Sequence, residues 1–183
     1  MLNKNILLIV TGSIACLDIP SYIVVLKTNG WQCKCIMTRA ACQLVNPSSL
    51  AAFVDVFSDD IVKTGAVARV PHIDLANWAS VVVVIPASAN TIGKIAVGLA
   101  DNLATTTILS TVSPVIIFPN MAKQMADQPV VQRNVATLTE RKYHIWTEIQ
   151  SGYSAGMDEY QNSYSLPHPT AFLEFVETIF ERR

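Results

Sequence analysis

Four consecutive valines, Val81–Val84, followed by Ile85 and Pro86, constrain this chain more than any other stretch. β-Branched side chains favour extended backbone, and a run without polar alternation leaves no face of the strand for water. Such a strand belongs inside a parallel sheet that carries helices on both faces. The reading takes Ser80–Ile85 as that strand, and the flanking sequence supplies partners for it. Asn5–Val10 is a short apolar run that breaks at Thr11-Gly12-Ser13, a buried strand leaving into a turn. Trp31–Met37, Val115–Phe118 and Tyr143–Trp146 read as further strands.

Helical patterns fill the intervals. Ile14–Thr28 has apolar residues at helical spacing and stops at Asn29-Gly30, with Pro20 predicted to kink it. Asn46-Pro47 opens Ser48–Phe53 as cap and first position. Ser88–Val97 ends at Gly98, and Asp101–Leu109, Gln128–Arg141 and Thr170–Glu181 follow as helices. Alternating strand and helix predicts the α/β class, here a single Rossmann-like (flavodoxin-like) doubly wound domain over residues 1–183 with a central parallel sheet. Gln150–Pro169 is the exception, about twenty residues rich in Ser, Tyr, Gly and Asn. It reads as a long loop, and its length points to a functional segment. Tyr153, Tyr160 and Tyr164 suit the anchors of a flexible lid over 150–169, which the family resemblance described below implies is a mobile substrate clamp.

Composition excludes several classes. Hydrophobic residues make up 51% and charged residues 15% of the 183, which is incompatible with a disordered chain. A net charge of −1 leaves no Lys/Arg excess for a nucleic-acid partner. No apolar run reaches the roughly 18 residues of a membrane span, so no membrane partner is expected. Low charge at this length implies further surface to bury, hence a homo-oligomer. Cys16, Cys33, Cys35 and Cys42 contain no C-x-x-C and no zinc-like spacing. Cys33 and Cys35 share one strand face and read as buried, reduced thiols of a cytoplasmic protein. Lys4, Ile6–Val10 and Ser13-Ile14-Ala15-Cys16 loosely imitate a lipoprotein export signal, but Thr11-Gly12-Ser13 interrupts the apolar stretch. A cytoplasmic location is therefore the expectation.

Doubly wound sheets bind ligands beyond the carboxyl ends of their strands. Four loops there carry small or polar residues: Thr11-Gly12-Ser13-Ile14, Met37-Thr38-Arg39, Pro86-Ala87-Ser88-Ala89-Asn90-Thr91 and Pro119-Asn120-Met121. Hydroxyls beside free helix N-terminal amides make a phosphate site, to which Arg39 adds a charge. Each junction alone is an ordinary turn; Gly12-Ser13 lacks the full dinucleotide fingerprint and no Walker pattern occurs. Together they favour a mononucleotide site. Met37, Phe53 and Met121 near these loops suit a flat ring such as a flavin.

His72, after Pro71 and before Ile73-Asp74-Leu75, is the best candidate for proton transfer near neutrality. From spacing alone, a capping or surface histidine is the commoner explanation. His144 and His168 have weaker claims, and no nucleophile elbow, zinc-protease motif or carboxylate pair occurs.

At these residues the chain resembles the homo-oligomeric flavin-containing cysteine decarboxylases. Pro86-Ala87-Ser88-Ala89-Asn90-Thr91, running on to Asp101-Asn102-Leu103, is similar to that family's P-A-S-A-N-T motif. His72-Ile73-x-Leu75-x-x-Trp78-Ala79 resembles the segment bearing its active-site histidine, and Gly12–Ala15 and Met37-Thr38 resemble its flavin-phosphate loops. The resemblance covers residues 5 to about 140. It implies FMN held by Gly12, Ser13, Ile14, Thr38, Pro86, Ser88, Ala89, Asn90, Thr91 and Asn120, with His72 catalytic. It implies substrate contacts at Asn120, Met121, Ala122, Met125 and Tyr153. It also implies trimers, often assembled into dodecamers, with the flavin at a subunit boundary facing His72.

Two branches of the resemblance compete. The coenzyme A branch decarboxylates phosphopantothenoylcysteine and uses a late cysteine, whereas no cysteine follows Cys42 here. The epidermin-type branch oxidatively decarboxylates the C-terminal cysteine of a ribosomally made precursor peptide and stops at the aminoenethiol. That branch implies His72-assisted deprotonation, hydride transfer from Cβ to oxidised FMN, and loss of CO₂ from the resulting thioaldehyde. One departure stands out. The family's P-x-M-N-x-x-M-W reads Pro119-Asn120-Met121-Ala122-Lys123-Gln124-Met125-Ala126, with alanines for the asparagine and the tryptophan. Another donor such as Lys123 or Asn120, a different substrate, or a non-catalytic flavin-binding subunit are the open accounts of that change.

Overall fold

A computed structural model describes residues 3–58, 70–154 and 158–182. The valine run is the inner strand of the expected sheet: every residue of β4 (Val81–Ala87) is buried. β1 (Asn5–Val10) pairs with it in parallel, Ile6 against Val81 through Ile9 against Val84. β5 (Val115–Pro119) lies on its other side, with a register shift between Val84 and Ala87. β2 (Gln32–Met37), β3 (Asp55–Ser58) and β6 (His144–Ile145) complete a parallel six-stranded sheet of order β3-β2-β1-β4-β5-β6. Strand order reverses between β1 and β4, the switch point at which such sheets hold ligands.

Alternation along the strands divides the core in two. Ile6, Leu8, Val10, Val81, Val83, Ile85, Ile116 and Phe118 face one side, covered by α1 (Ile19–Thr28) and α9 (Pro169–Glu181). Phe118 is the hub of that side: its ring lies 5.0 Å from Phe172, 5.8 Å from Phe175 and 6.0 Å from Trp146. Leu7, Ile9, Val82, Val84 and Ile117 face the other side, where α4 (Pro71–Trp78), α5 (Ala89–Val97), α6 (Leu103–Ser110) and α8 (Pro129–Glu140) pack. Three short helices, α2 (Arg39–Leu44), α3 (Pro47–Ala51) and α7 (Lys123–Ala126), follow β2, α2 and β5 respectively.

Two sequence expectations are corrected. Ile14–Thr28 is not one kinked helix: a 3₁₀ turn, Ile14–Asp18, precedes α1, and Pro20 sits in the first turn of α1. A proline there gives up an amide that has no intrahelical partner, so it starts the helix without bending it. Gln150–Pro169 is not a long loop: β7 (Ile149–Ser154) and β8 (Glu159–Tyr164) form an antiparallel hairpin with Tyr153 opposite Tyr160. Its polar residues lack the apolar alternation that marks a half-buried strand, because a two-stranded ribbon has little core to face. Among the described residues no helix is long and apolar enough to cross a membrane.

Candidate functional site

The site begins with one buried hydroxyl. Thr11, at the end of β1, donates to the Pro86 carbonyl at 2.6 Å and accepts from the Ser88 amide at 2.9 Å. That pair of bonds sets the loop after β4 beside the loop after β1, across the switch point. Ser88 then caps α5, accepting from the Thr91 amide at 3.4 Å and lying 3.2 Å from the Thr91 hydroxyl. The amides of Ala89 and Asn90, at the first two positions of α5, have no partner within the helix. Thr38 caps α2 in the same manner and ties to β1 through its own amide on the Val10 carbonyl at 2.9 Å. Gly12 is required for close approach: a Cβ there would stand 2.5 Å from the Ala40 Cβ.

These loops border a cavity of about 460 Å³, within the range of roughly 300–1,000 Å³ typical of small-molecule sites. Gly12, Thr38, Arg39, Ser88, Ala89, Asn90, Thr91 and Met125 line it. Gln43, Lys94, Asn102 and Thr105 also line it and were missed. Asn102 was legible as a cap, since its side chain accepts from the Thr105 amide at 2.9 Å. Lys94 pairs with Asp101 at 2.7 Å, and the Lys94 hydrogen bond holds the Asp101 carboxyl below its ordinary value. Arg39 is exposed and has no carboxylate partner among the described residues. Hydroxyls, helix-start amides and an unpaired guanidinium form a donor set suited to a phosphate, so the residues present fit a phosphorylated cofactor.

The other expected residues fall outside this lining. Ile14 is exposed, and Pro86 is buried in β4 behind the loop. Met37 is fully buried in the core and cannot form a platform for a ring, while Phe53 is exposed at the end of α3. Ser13 donates to the Asn120 side-chain oxygen, and the Asn120 amide group donates to the Tyr164 carbonyl at 3.2 Å. Met121 is buried beneath them, Ala122 opens α7 without a side-chain cap, and Tyr153 lies in β7. Lys123 is engaged with Asp127 in an exposed pair at 2.5 Å. His72 sits in the first turn of α4, half-buried, with its Nδ1 enclosed and unpartnered. His168 caps α9, and His144 lies on β6.

Burial disfavours the thiolate at three of the four cysteines. Burial raises the Cys16 thiol, pushes Cys33 up to about 11 and raises Cys35 further still. No disulfide joins any of the four cysteines. No cluster of three or more metal-ligating side chains occurs among the described residues. A larger cavity, about 570 Å³, lies at the opposite end of β5 and β6, beside Arg141 and Lys142 at the end of α8. Cations at a helix C-terminus offset its dipole, which accounts for them without a ligand.

Comparison with known proteins places this geometry. The flavoprotein family model matches residues 1–165. The coenzyme A biosynthesis bifunctional protein CoaBC of Bacillus subtilis is 39% identical over 155 residues, 84% of this chain but 38% of that protein. The chain thus spans well under half the length of that relative. Epidermin decarboxylase of Staphylococcus epidermidis is 30% identical over 173 residues, 94% of this chain and 93% of that one. Among solved structures, the FMN-dependent cysteine decarboxylase SpaF superposes with a TM-score of 0.80 at 29% identity, covering 97% of this chain and 95% of its own. A PPC decarboxylase variant complexed with pantothenoylaminoethenethiol reaches 0.86 at 27%, covering 98% of this chain and 100% of its own. A variant of EpiD complexed with the substrate peptide DSYTC reaches 0.84 at 29%, covering 96% and 99%.

Proposed function

Because the chain belongs to the flavoprotein family, we propose that it is an FMN-dependent enzyme that oxidatively decarboxylates the C-terminal cysteine of a ribosomally made precursor peptide, giving an aminoenethiol. The observation that carries the peptide branch is that residues 43–183 contain no cysteine, whereas the coenzyme A branch uses a late one to reduce the product. Bound FMN supplies the two-electron acceptor. The protein supplies position, charge and a base. Ser88, with the Ala89 and Asn90 amides and the Arg39 charge, holds the phosphate. His72 takes the proton from the substrate cysteine. Once that cysteine is oxidised to the thioaldehyde, CO₂ leaves because the adjacent carbon takes the charge as an ene-thiolate. The β7–β8 hairpin, which overlaps the 150–169 segment, acts as the substrate clamp.

His72 does not line the cavity of its own subunit, and exposed Val70 and Ile73 flank it. Both features support a homo-oligomer, a trimer or an assembly of trimers, in which His72 serves the site at a subunit boundary. A cytoplasmic location belongs to the same reading.

A second reading, decarboxylation of phosphopantothenoylcysteine, is favoured by the 39% identity to CoaBC. A third, a non-catalytic flavin-binding partner subunit, is favoured by Ala122, which has no side-chain amide to offer a substrate. One experiment separates the three. The FMN-loaded protein is incubated with peptides ending in cysteine and, separately, with phosphopantothenoylcysteine. Loss of one CO₂ and two hydrogens from a peptide supports the first reading; turnover of the small substrate alone supports the second. Unchanged masses with FMN bound support the third. His72→Asn is expected to lower turnover by about 10²–10⁴-fold while FMN stays bound.

A further inference from the structure

We propose that Lys94 tunes the bound flavin: its ammonium favours the reduced ring over the oxidised one, while Arg39 serves the phosphate. The proposal rests on the reading that FMN occupies the cavity with its phosphate at the start of α5. Its carrying observation is the charge of the cavity wall. Two cations line it, Arg39 and Lys94, and among the described residues no carboxylate does. Arg39 opens α2 and already belongs to the phosphate donors. Lys94 lies five residues beyond Ala89 on α5, about 7.5 Å along the helix, and its head turns to the α5–α6 connection. With the phosphate held at the helix start, the wall at Lys94 meets the remainder of the cofactor.

The ammonium is held in place by a directed chain of bonds. The Asn102 side-chain oxygen accepts from the Thr105 amide at 2.9 Å, so Nδ2 is the atom left to donate. It does so to Asp101 Oδ1 at 3.2 Å, and Asp101 Oδ2 accepts from Lys94 Nζ at 2.7 Å. The start of α6 thereby fixes the carboxylate, and the carboxylate fixes the lysine. Lys94 is 23% exposed and lines the cavity, whereas Asp101 is 43% exposed and lies outside the lining. The pair presents its positive end to the cavity and its negative end to water, which screens the carboxylate more than the ammonium. A cation in the last turn of α5 also offsets the helix dipole, but that effect calls for no carboxylate partner and no place on a cavity wall.

The proposed reaction is of the kind that such a charge assists. The cysteine thiol proton goes to His72, a hydride leaves Cβ for the ring, and the carbon–sulfur bond becomes double. The hydride carries one negative charge into a ring that was neutral. An ammonium facing the ring stabilises the charge that arrives and leaves the oxidised cofactor little affected, which is preferential binding of one redox state. A cation at the phosphate meets the same charge in both states and has no such preference.

Titration of the full chain with oxidised FMN, and anaerobically with reduced FMN, tests this. The ratio of the two Kd values gives the potential of the bound cofactor relative to the free one. Lys94→Met should weaken reduced FMN about tenfold more than oxidised FMN, which lowers the potential by about 30 mV. Lys94→Arg keeps the charge and should stay within about twofold of the wild-type ratio. Asp101→Asn still accepts from Lys94 but removes the opposing charge, so the potential should rise; this variant tests the role without touching Lys94. Arg39→Met should weaken both redox forms alike and leave the ratio unchanged. An unchanged ratio in Lys94→Met, or equal weakening of both forms, overturns the proposal, as does a fall in potential in Asp101→Asn. Failure of the wild type to take either form of FMN overturns the cofactor reading itself, and the tuning role with it.

Discussion

Thr11→Val is the substitution from which the site geometry predicts most. Valine has nearly the shape of threonine, so packing at this fully buried position is preserved while both bonds of its hydroxyl are lost. A buried carbonyl left without its donor costs about 1–3 kcal/mol. Pro86 is buried and carries that cost in full; Ser88 is half-buried, and water recovers part of its amide's share. The sum is about 2–4 kcal/mol. For a chain of this size each kcal/mol shifts Tm by roughly 2–4 °C, so a fall of about 5–15 °C is expected. The start of α5 is also freed from β1, and FMN affinity should fall by about tenfold or more, equivalent to about 1.4 kcal/mol. Thr11→Ser keeps the hydroxyl and is the control. Thermal melts by circular dichroism and FMN titration read both quantities. If the valine variant melts with or above the serine variant and binds FMN as the wild type does, the role given to Thr11 is wrong.

Gly12→Ala should destabilise the protein by about 1–3 kcal/mol and weaken FMN binding, because the new methyl meets Ala40. Adding Ala40→Gly should restore both, and thermal melts of the double variant check this. Ala122→Asn places a capping side chain at an extended N-cap that has none, which should add about 1 kcal/mol, measured as a rise in urea midpoint. An unchanged or lower midpoint would contradict the cap geometry. The pH dependence follows from Cys33, whose folded pKa is raised by burial to about 11. Its neutral form is favoured in the fold, so its contribution is complete below the unfolded pKa and is lost as pH rises from about 9 through 11. Urea midpoints of wild type and Cys33→Ala, followed from pH 8 to 11, should fall more steeply in the wild type.

Much of the architecture was legible because its signal is local. The valine run could only be an inner parallel strand, and Ser88 and Asn46 announced their helices by their caps. Short elements escaped: α2, α7 and β3 carry too few residues to show a period, and their form comes from what they pack against. The hairpin escaped for a different reason, since its strands pair with each other and face little core. For the site, residue types near strand ends pointed to Gly12, Thr38 and Ser88, which do meet at the cavity. Thr11 seemed only the first residue of a turn, because no sequence pattern reveals that its hydroxyl would bridge two loops distant in the chain. Met37 misled for the converse reason: proximity to a loop in sequence says nothing of which way a strand residue faces.

The most direct test is a crystal structure of the protein with FMN. The account predicts the phosphate within hydrogen-bond distance of the Ser88 hydroxyl and the amides of Ala89 and Asn90, in the cavity beside Gly12 and Thr38. A flavin seated instead in the cavity between Ile108 and His144, at the far end of the sheet, would contradict it.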